Sequence, residues 1–130
     1  MTFVLVSLLI LFSCNKQKEL TNGEGFVDVT GGKIWYRVSG QGDKTPMLLL
    51  HGGPGYPSYY LNALSPLGKD RKIITFDQLG CGRSDAITDT TLMTIENFVE
   101  QMHTLLASLG VQEFHCTVTP GGQCWPLTII

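Results

Sequence analysis

A glycine-rich segment, His51-Gly52-Gly53-Pro54-Gly55, has the residue types of an oxyanion hole, a site that stabilises negative charge developing on a substrate. It directly follows the apolar run at residues 47–50, which is typical of a buried strand. Glycine tolerates positive φ angles and has no Cβ, so its backbone N–H can approach a reacting carbonyl closely. Pro54 removes one donor and stiffens the bend. We therefore expect an oxyanion-binding loop at the end of a strand.

A second block follows the run Lys72-Ile73-Ile74-Thr75, which is typical of another buried strand. It has the pattern D-Q-x-G-x-G-x-S, with the defined positions at Asp77, Gln78, Gly80, Gly82 and Ser84. Together, H-G-G-P-G and this second pattern resemble the motifs of the proline iminopeptidase group of α/β-hydrolases. The resemblance extends from about residue 25 to residue 115, and it ends where that family has its nucleophilic serine.

The resemblance implies a reaction mechanism and a role for each motif. Enzymes of this group release N-terminal proline from peptides through an acyl-enzyme, with a serine, histidine and acid triad and neither metal nor cofactor. The resemblance assigns the Gly53 amide to the oxyanion hole. It implies that His51 fixes the loop by hydrogen bonding and is not the catalytic base. Asp77 is expected to hold neighbouring backbone amides, and the D-Q-x-G-x-G-x-S residues to brace the loops beneath the active site. The triad itself is not expected within these residues.

Ser84 offers an alternative nucleophile, because Gly82-Arg83-Ser84-Asp85-Ala86 partly resembles a G-x-S-x-G elbow. The last position is alanine, however, and turn-forming residues follow instead of a helix, which argues against that role. Arg83 and Asp85 are most simply interpreted as an ion pair in solvent.

The elements that must position these loops alternate along the chain. Gly31-Gly32 separates two alternating segments and predicts a β-hairpin. An apolar stripe followed by Gly110 predicts a helix over 92–109. The predicted order is strands at 26–30, 33–38 and 46–50, a short helix from Pro57 or Ser58, a strand at 73–76, the 92–109 helix, and a strand starting at 111. This order predicts an α/β fold, the incomplete amino-terminal portion of an α/β-hydrolase, with a hairpin, mostly parallel strands and helices on both faces.

Composition excludes some functions. The chain has 130 residues, 43% of them hydrophobic, and a net charge of −2 with no run of Lys or Arg, so we expect no nucleic-acid partner. The cysteines form no C-x-x-C pair and have no histidines at zinc spacing, so no metal site is expected. The predicted partner is a peptide substrate, and the sequence leaves the oligomeric state open.

The amino terminus indicates export. Residues 2–12 are almost wholly apolar, and Leu11-Phe12-Ser13-Cys14 resembles a bacterial lipobox, which would anchor the protein to a membrane through lipid on Cys14. We therefore predict a lipoprotein signal peptide at 1–13, a polar spacer at 14–24 and a membrane-anchored location. No Lys or Arg precedes the apolar core, so the true start codon is an open question, and a buried strand or helix is the alternative.

Residues 116–130 contradict the hydrolase pattern, because two prolines stand where the elbow helix should begin. When this tail is back-translated to DNA, preceded by one extra base and translated in the new frame, it gives L-Y-G-H-S-W-G-A-M-L-A-F-D-Y. That peptide contains a nucleophile elbow. Most wobble bases in that reading are chosen, but Cys124, Trp125 and Pro126 fix its L-A dipeptide whatever the choice. We predict that 25–115 is hydrolase and that 116–130 is an out-of-frame tail, leaving this chain inactive. Sequencing of the locus tests this.

Two other functions are compatible with the sequence. One is another hydrolase on the same scaffold, of the esterase or epoxide hydrolase type, since the residues that select substrate are missing from these motifs. The other is a lipid-anchored binding protein without catalytic activity.

Overall fold

A mixed five-stranded sheet forms the centre of the computed structural model, which describes residues 19–52 and 55–118. Its strands are β1 (Gly23–Val29), β2 (Gly32–Gly40), β3 (Lys44–Leu50), β4 (Arg71–Phe76) and β5 (His115–Val118). The order across the sheet is β1-β2-β4-β3-β5. β2 is antiparallel to both β1 and β4, whereas β3 is parallel to both β4 and β5. The predicted α/β fold class is confirmed.

The hairpin predicted around Gly31-Gly32 is present. β1 and β2 pair from Gly23 opposite Val38 to Val29 opposite Gly32, so both strands are longer than the alternating pattern indicated. Gly31 adopts a φ of 97°, which glycine tolerates at the turn.

The main helix, α1 (Ile95–Leu109), begins three residues later than predicted. Thr94 caps it, accepting a hydrogen bond from the Asn97 N–H at 3.2 Å. Leu92 belongs instead to a separate 3₁₀ turn (Thr90–Leu92), where its carbonyl accepts from the Asn97 side chain. Gly110 ends the helix in the left-handed conformation, with a φ of 72°, as the sequence predicted.

The strand predicted to start at residue 111 starts at His115. The Val111 N–H donates to the Leu106 carbonyl at 2.9 Å, so this residue still belongs to the helix cap. β5 then pairs with β3, from Met47 opposite His115 to Leu50 opposite Val118.

Helical segments cover both faces of the sheet. On one face, Leu48, Ile74 and Phe76 pack with Met102 and Leu105 of α1 in the larger core. On the other, a smaller cluster joins the sheet to a 3₁₀ segment (Ser58–Lys69) and contains Leu49, Ile73 and Leu61. Neighbouring strand residues point to opposite faces, so Leu48 and Leu49 enter different clusters. None of the described helices is both long and apolar enough to cross a membrane.

The fold brings the two motif loops together. β3 and β4 are parallel neighbours, so their carboxyl ends lie at the same edge of the sheet. The H-G-G-P-G loop leaves β3 and the D-Q-x-G-x-G-x-S loop leaves β4 at that edge.

Candidate active site

A hydrogen bond joins the two loops. The backbone N–H of Gln78 donates to Nε2 of His51 at 3.0 Å, across 27 positions of sequence. Because Nε2 accepts this bond, the neutral ring carries its proton on Nδ1. His51 is buried, with 4% of its surface exposed. Its ring therefore occupies the interior between the loops and holds them at a fixed separation.

Burial keeps the His51 ring neutral. Loss of solvent lowers its pKa from the ordinary value of 6.5, and the Asp77 charge and the Gly52 backbone only partly oppose this effect. A protonated ring would have no lone pair on Nε2 to accept from Gln78, so the neutral state preserves the connection.

The Asp77 carboxylate organises the second loop. Its Oδ1 accepts from the Ser58 N–H at 2.7 Å and its Oδ2 from the Arg83 N–H at 3.0 Å. One buried side chain thus ties the start of the 3₁₀ segment to the loop after β4.

Ser84 is held by backbone on both sides. Its Oγ donates to the Asp77 carbonyl at 2.5 Å and accepts from the Trp35 N–H at 2.8 Å. The hydroxyl proton is therefore directed to a carbonyl, a geometry suited to bracing β2 against the loop.

Gly82 lies where no other residue fits. Its φ is 57°, and a Cβ built there would lie 2.1 Å from Oδ2 of Asp77. Gly80 also has a positive φ, of 88°, and packs against Ile87. The glycines of this motif therefore let the chain turn tightly around the Asp77 carboxylate.

The first loop is described only in part. The Gly52 N–H donates to the Tyr60 hydroxyl at 2.7 Å. Gly55 is exposed, with a φ of 91°, and a methyl group added to its Cα would meet no atom within 4 Å. Gly53 and Pro54 lie outside the described residues, so the assignment of the Gly53 amide to the oxyanion hole stays a prediction. The same holds for Cys14 and for residues 119–130.

The predicted ion pair between Arg83 and Asp85 is wrong. Arg83 pairs with Glu24 at 3.2 Å, and its guanidinium lies 4.5 Å from the centre of the Trp35 ring. Asp85 accepts from the Lys33 N–H at 2.8 Å, while the Lys33 carbonyl accepts from the Asp85 N–H. Both side chains contact the β1–β2 hairpin instead of each other. These contacts are long-range, so local spacing does not reveal them.

Three potential metal ligands meet between the loops. A nitrogen of His51, a carboxylate oxygen of Asp77 and the sulfur of Cys81 lie within 4.8 Å of one another. Each residue already makes a hydrogen bond: His51 through Nε2 and Asp77 through its carboxylate accept backbone N–H groups, and the Cys81 thiol donates to the Gln78 carbonyl at 3.1 Å. Burial raises the pKa of Cys81 to about 11, and the Asp77 charge adds to this. Because a metal binds the thiolate, a cluster whose Cys81 thiol is held protonated fits a hydrogen-bonded support better than a metal centre.

Sequence reasoning missed two supporting residues. Gln101 is fully buried in α1, and its Oε1 accepts from the Leu79 N–H at 2.9 Å, which fixes the second loop to the helix. A polar residue inside an otherwise apolar stripe was the available signal. Tyr60 supports the first loop, and no pattern in the sequence marks its hydroxyl.

A family model described as the alpha/beta hydrolase fold matches residues 45–118, more than half of the chain. The chain therefore belongs to the α/β-hydrolase fold family.

Curated relatives place the similarity more narrowly. The chain is 43% identical over 107 residues to the proline iminopeptidase of Heyndrickxia coagulans, a match that covers 82% of this chain and 36% of that protein. It is 40% identical over 106 residues to that of Lactobacillus acidophilus, covering 78% of this chain and 35% of the relative. The chain thus spans little more than a third of the length of these relatives.

Solved structures agree with these relatives. The proline iminopeptidase of Mycobacterium smegmatis superposes with a TM-score of 0.71 at 26% identity, covering 77% of this chain and 36% of that one. An epoxide hydrolase from Vigna radiata superposes with a TM-score of 0.64 at 25% identity, covering 75% and 31%.

Proposed function

We propose that this chain provides the oxyanion side of a serine aminopeptidase that releases N-terminal proline from peptides. The observation that carries the proposal is the junction of the two motif loops through His51 and Gln78, in a chain 43% identical to a proline iminopeptidase. In the reaction, a serine oxygen attacks the prolyl carbonyl, the peptide amine leaves with a proton, and water then hydrolyses the ester. The mechanism uses no metal or cofactor.

The hydrogen bonds at the loop support Gly53 as the donor to the oxyanion. The Gly52 N–H is directed to Tyr60 and the Gln78 N–H to His51, so neither faces a substrate. The next amide along the first loop is that of Gly53. The second donor would be the amide that follows the nucleophile.

We also propose that the 130 residues by themselves do not turn over substrate, because none of their serines lies in a G-x-S-x-G segment. The test is incubation of the purified chain with a prolyl p-nitroanilide. We expect no release of nitroaniline. Release that a serine-directed fluorophosphonate abolishes would contradict this proposal.

A chimera tests the positive part of the proposal. Residues 25–115 would replace the matching segment of the Heyndrickxia coagulans enzyme, and we expect the chimera to hydrolyse the prolyl substrate. Gly53→Pro in the chimera removes the proposed donor and should lower kcat by about 10²–10³-fold. Gly55→Ala is the control for loop distortion and should retain most of the activity. A folded chimera with equal kcat in both variants would refute the role of Gly53.

The epoxide hydrolase alternative is supported by the Vigna radiata structure. We favour the peptidase because the proline iminopeptidase structure superposes with the higher TM-score, 0.71 against 0.64. Assay of the same chimera with styrene oxide distinguishes the two activities.

We further propose export and lipid attachment at Cys14, on the strength of the Leu11-Phe12-Ser13-Cys14 segment. Expression in a bacterium fed radiolabelled palmitate should label the chain, and Cys14→Ser should remove the label. Equal labelling of the Cys14→Ser chain would contradict the assignment, as would an unlabelled wild-type chain.

A further inference from the structure

A cavity of about 240 Å³, lined by charged, polar and aromatic side chains, lies between β2, the 3₁₀ segment and the loop after β4. Asp77, Gly82 and Arg83 of the second motif loop line it, but none of the described H-G-G-P-G residues does. The side chains used below are Trp35, Arg37, Asn62, Asp77 and Arg83. Two arginines and one carboxylate give these lining residues a net charge of +1 (two positive, one negative).

Arg37 has unused hydrogen-bonding capacity in this cavity. Its Nη2 donates to Oδ1 of Asn62, a neutral partner. Its Nε is fully shielded from solvent and has no hydrogen-bond partner among residues 19–52 and 55–118. No ion pair found in that part of the chain includes Arg37. A buried guanidinium N–H without an acceptor is unfavourable, so the site is suited to an anion.

The charges of the other lining groups do not neutralise Arg37, so one negative charge on a ligand would be balanced. Arg83 is oriented by Trp35, and its pair with Glu24 is exposed on both sides, so water screens that interaction. Asp77 is already bound to two backbone N–H groups. A monoanion balances the remaining charge of +1, whereas a dianion would exceed it.

We propose that this cavity binds a small monocarboxylate, with Arg37 as its principal partner and Arg83 as a second cation in its lining. The planar guanidinium matches the two oxygens of a carboxylate. Because Nε is shielded from solvent, a carboxylate reaches the unpaired Nε–H only when the Arg37 side chain shifts to present it to the cavity. The ligand is either a free small acid or the carboxyl terminus of a short peptide. The proposal does not depend on the aminopeptidase activity.

Trp35 reports occupancy directly. The chain has two tryptophans, so a Trp125→Phe chain leaves Trp35 as the single tryptophan, which is excited selectively at wavelengths where tyrosine does not absorb. Titration with sodium acetate, with sodium chloride adjusted to constant ionic strength, should give a saturable change in emission. Acetamide has the same shape without the charge and should give none. Glycylglycine and its amide repeat this comparison for a peptide carboxylate. Tighter binding of glycylglycine than of acetate indicates a peptide terminus, and weaker or equal binding indicates a free acid.

Substitution of Arg37 locates the site. Arg37→Met keeps the aliphatic stem and should raise the Kd for acetate at least about tenfold. Lys69→Met removes an exposed cation outside the cavity and should leave the Kd unchanged. Circular dichroism verifies that each variant is folded, and Arg83→Met provides a second test if Arg37→Met is not.

Three results would each overturn the proposal: equal responses to acetate and acetamide, no saturable response of the wild-type site to either carboxylate, or an unchanged Kd in folded Arg37→Met. The first two require no cavity variant, so poor folding of Arg37→Met leaves the proposal testable.

Discussion

Gly82 lies so close to the Asp77 carboxylate that a methyl group has no room there. Asp77 needs close approach of the loop to bind the Arg83 N–H, and only a residue without Cβ allows that approach. The motif glycine is thus required by one neighbouring oxygen as well as by its own backbone angle.

Gly82→Ala should lower the free energy of unfolding by about 2–4 kcal/mol, since it combines an unfavourable φ with a collision at Oδ2 of Asp77. Gly55→Ala is the matched control, because Gly55 also has a positive φ but open space around it. The control should cost only about 1 kcal/mol. Urea unfolding followed by circular dichroism measures both. Equal losses of unfolding free energy in the two variants would show that the contact between the new methyl group and Asp77 does not destabilise the fold.

His51 should make stability depend on pH. Its folded pKa is lowered below the ordinary 6.5, so below pH 6.5 the unfolded chain binds more protons than the folded one. Its contribution is therefore complete above about pH 6.5 and decreases as the pH falls, by at most about 1.4 kcal/mol per pH unit. Urea unfolding between pH 7.5 and 5 at about half-unit intervals measures this slope.

Two glutamine variants isolate the effect of His51. His51→Gln keeps an acceptor for the Gln78 N–H without titrating, so its slope below pH 6.5 should be smaller than that of the wild type. His103→Gln, at an exposed position of α1, is the matched control substitution against which the slope of His51→Gln is compared. A wild-type slope in His51→Gln would assign the effect to other groups.

At the scale of the element, the boundary of α1 depends on a single hydroxyl. The hydrophobic stripe continues back to Leu92, but Thr94 accepts the Asn97 N–H and starts the helix after it. Capping thus decides the first turn, where apolar periodicity alone placed the start too early.

Thr94→Ala should lower the free energy of unfolding by about 1 kcal/mol, because the first turn of α1 loses its side-chain acceptor. Thr94→Asn supplies another capping oxygen and should stay within about 0.5 kcal/mol of the wild type. Chemical denaturation of the three chains provides the comparison. A loss in Thr94→Asn as large as in Thr94→Ala would indicate a role for the methyl group instead.

The local elements were largely predictable and the contacts between them were not. Gly31-Gly32 predicted the hairpin, and the run at 47–50 predicted a strand covered on both faces, since the relevant signals lie within a few residues. The pairing of Arg83 with Glu24 spans 59 positions, and no local pattern reveals it. For Gln101 a polar residue within an apolar stripe was a local signal, but its partner Leu79 belongs to another element and could not be found from that signal.

At the scale of the whole molecule, β4 is the strand that connects the antiparallel and the parallel parts of the sheet. It pairs with β2 on one side and β3 on the other, and its residues enter both hydrophobic clusters. Ile74 is fully buried between its neighbours and α1, whereas Phe26 on the outer strand is 57% exposed.

Ile74→Ala should therefore lower the free energy of unfolding by about 2–5 kcal/mol, through lost burial and the cavity it leaves. Phe26→Ala removes a larger but exposed side chain and should cost less than about 1 kcal/mol. Differential scanning fluorimetry ranks the two, and denaturant titration gives the free energies. A larger loss for Phe26→Ala would mean that the outer strand, rather than β4, limits stability.

The position of β4 also constrains the order in which the protein assembles during translation. The β1–β2 hairpin and β3 are synthesised first, yet in the sheet they are separated by a strand that the ribosome has not made. The native sheet therefore cannot join the hairpin to β3 until β4 has left the exit tunnel. A chaperone bound to the apolar residues of β3 during that interval would prevent it from joining β2 directly.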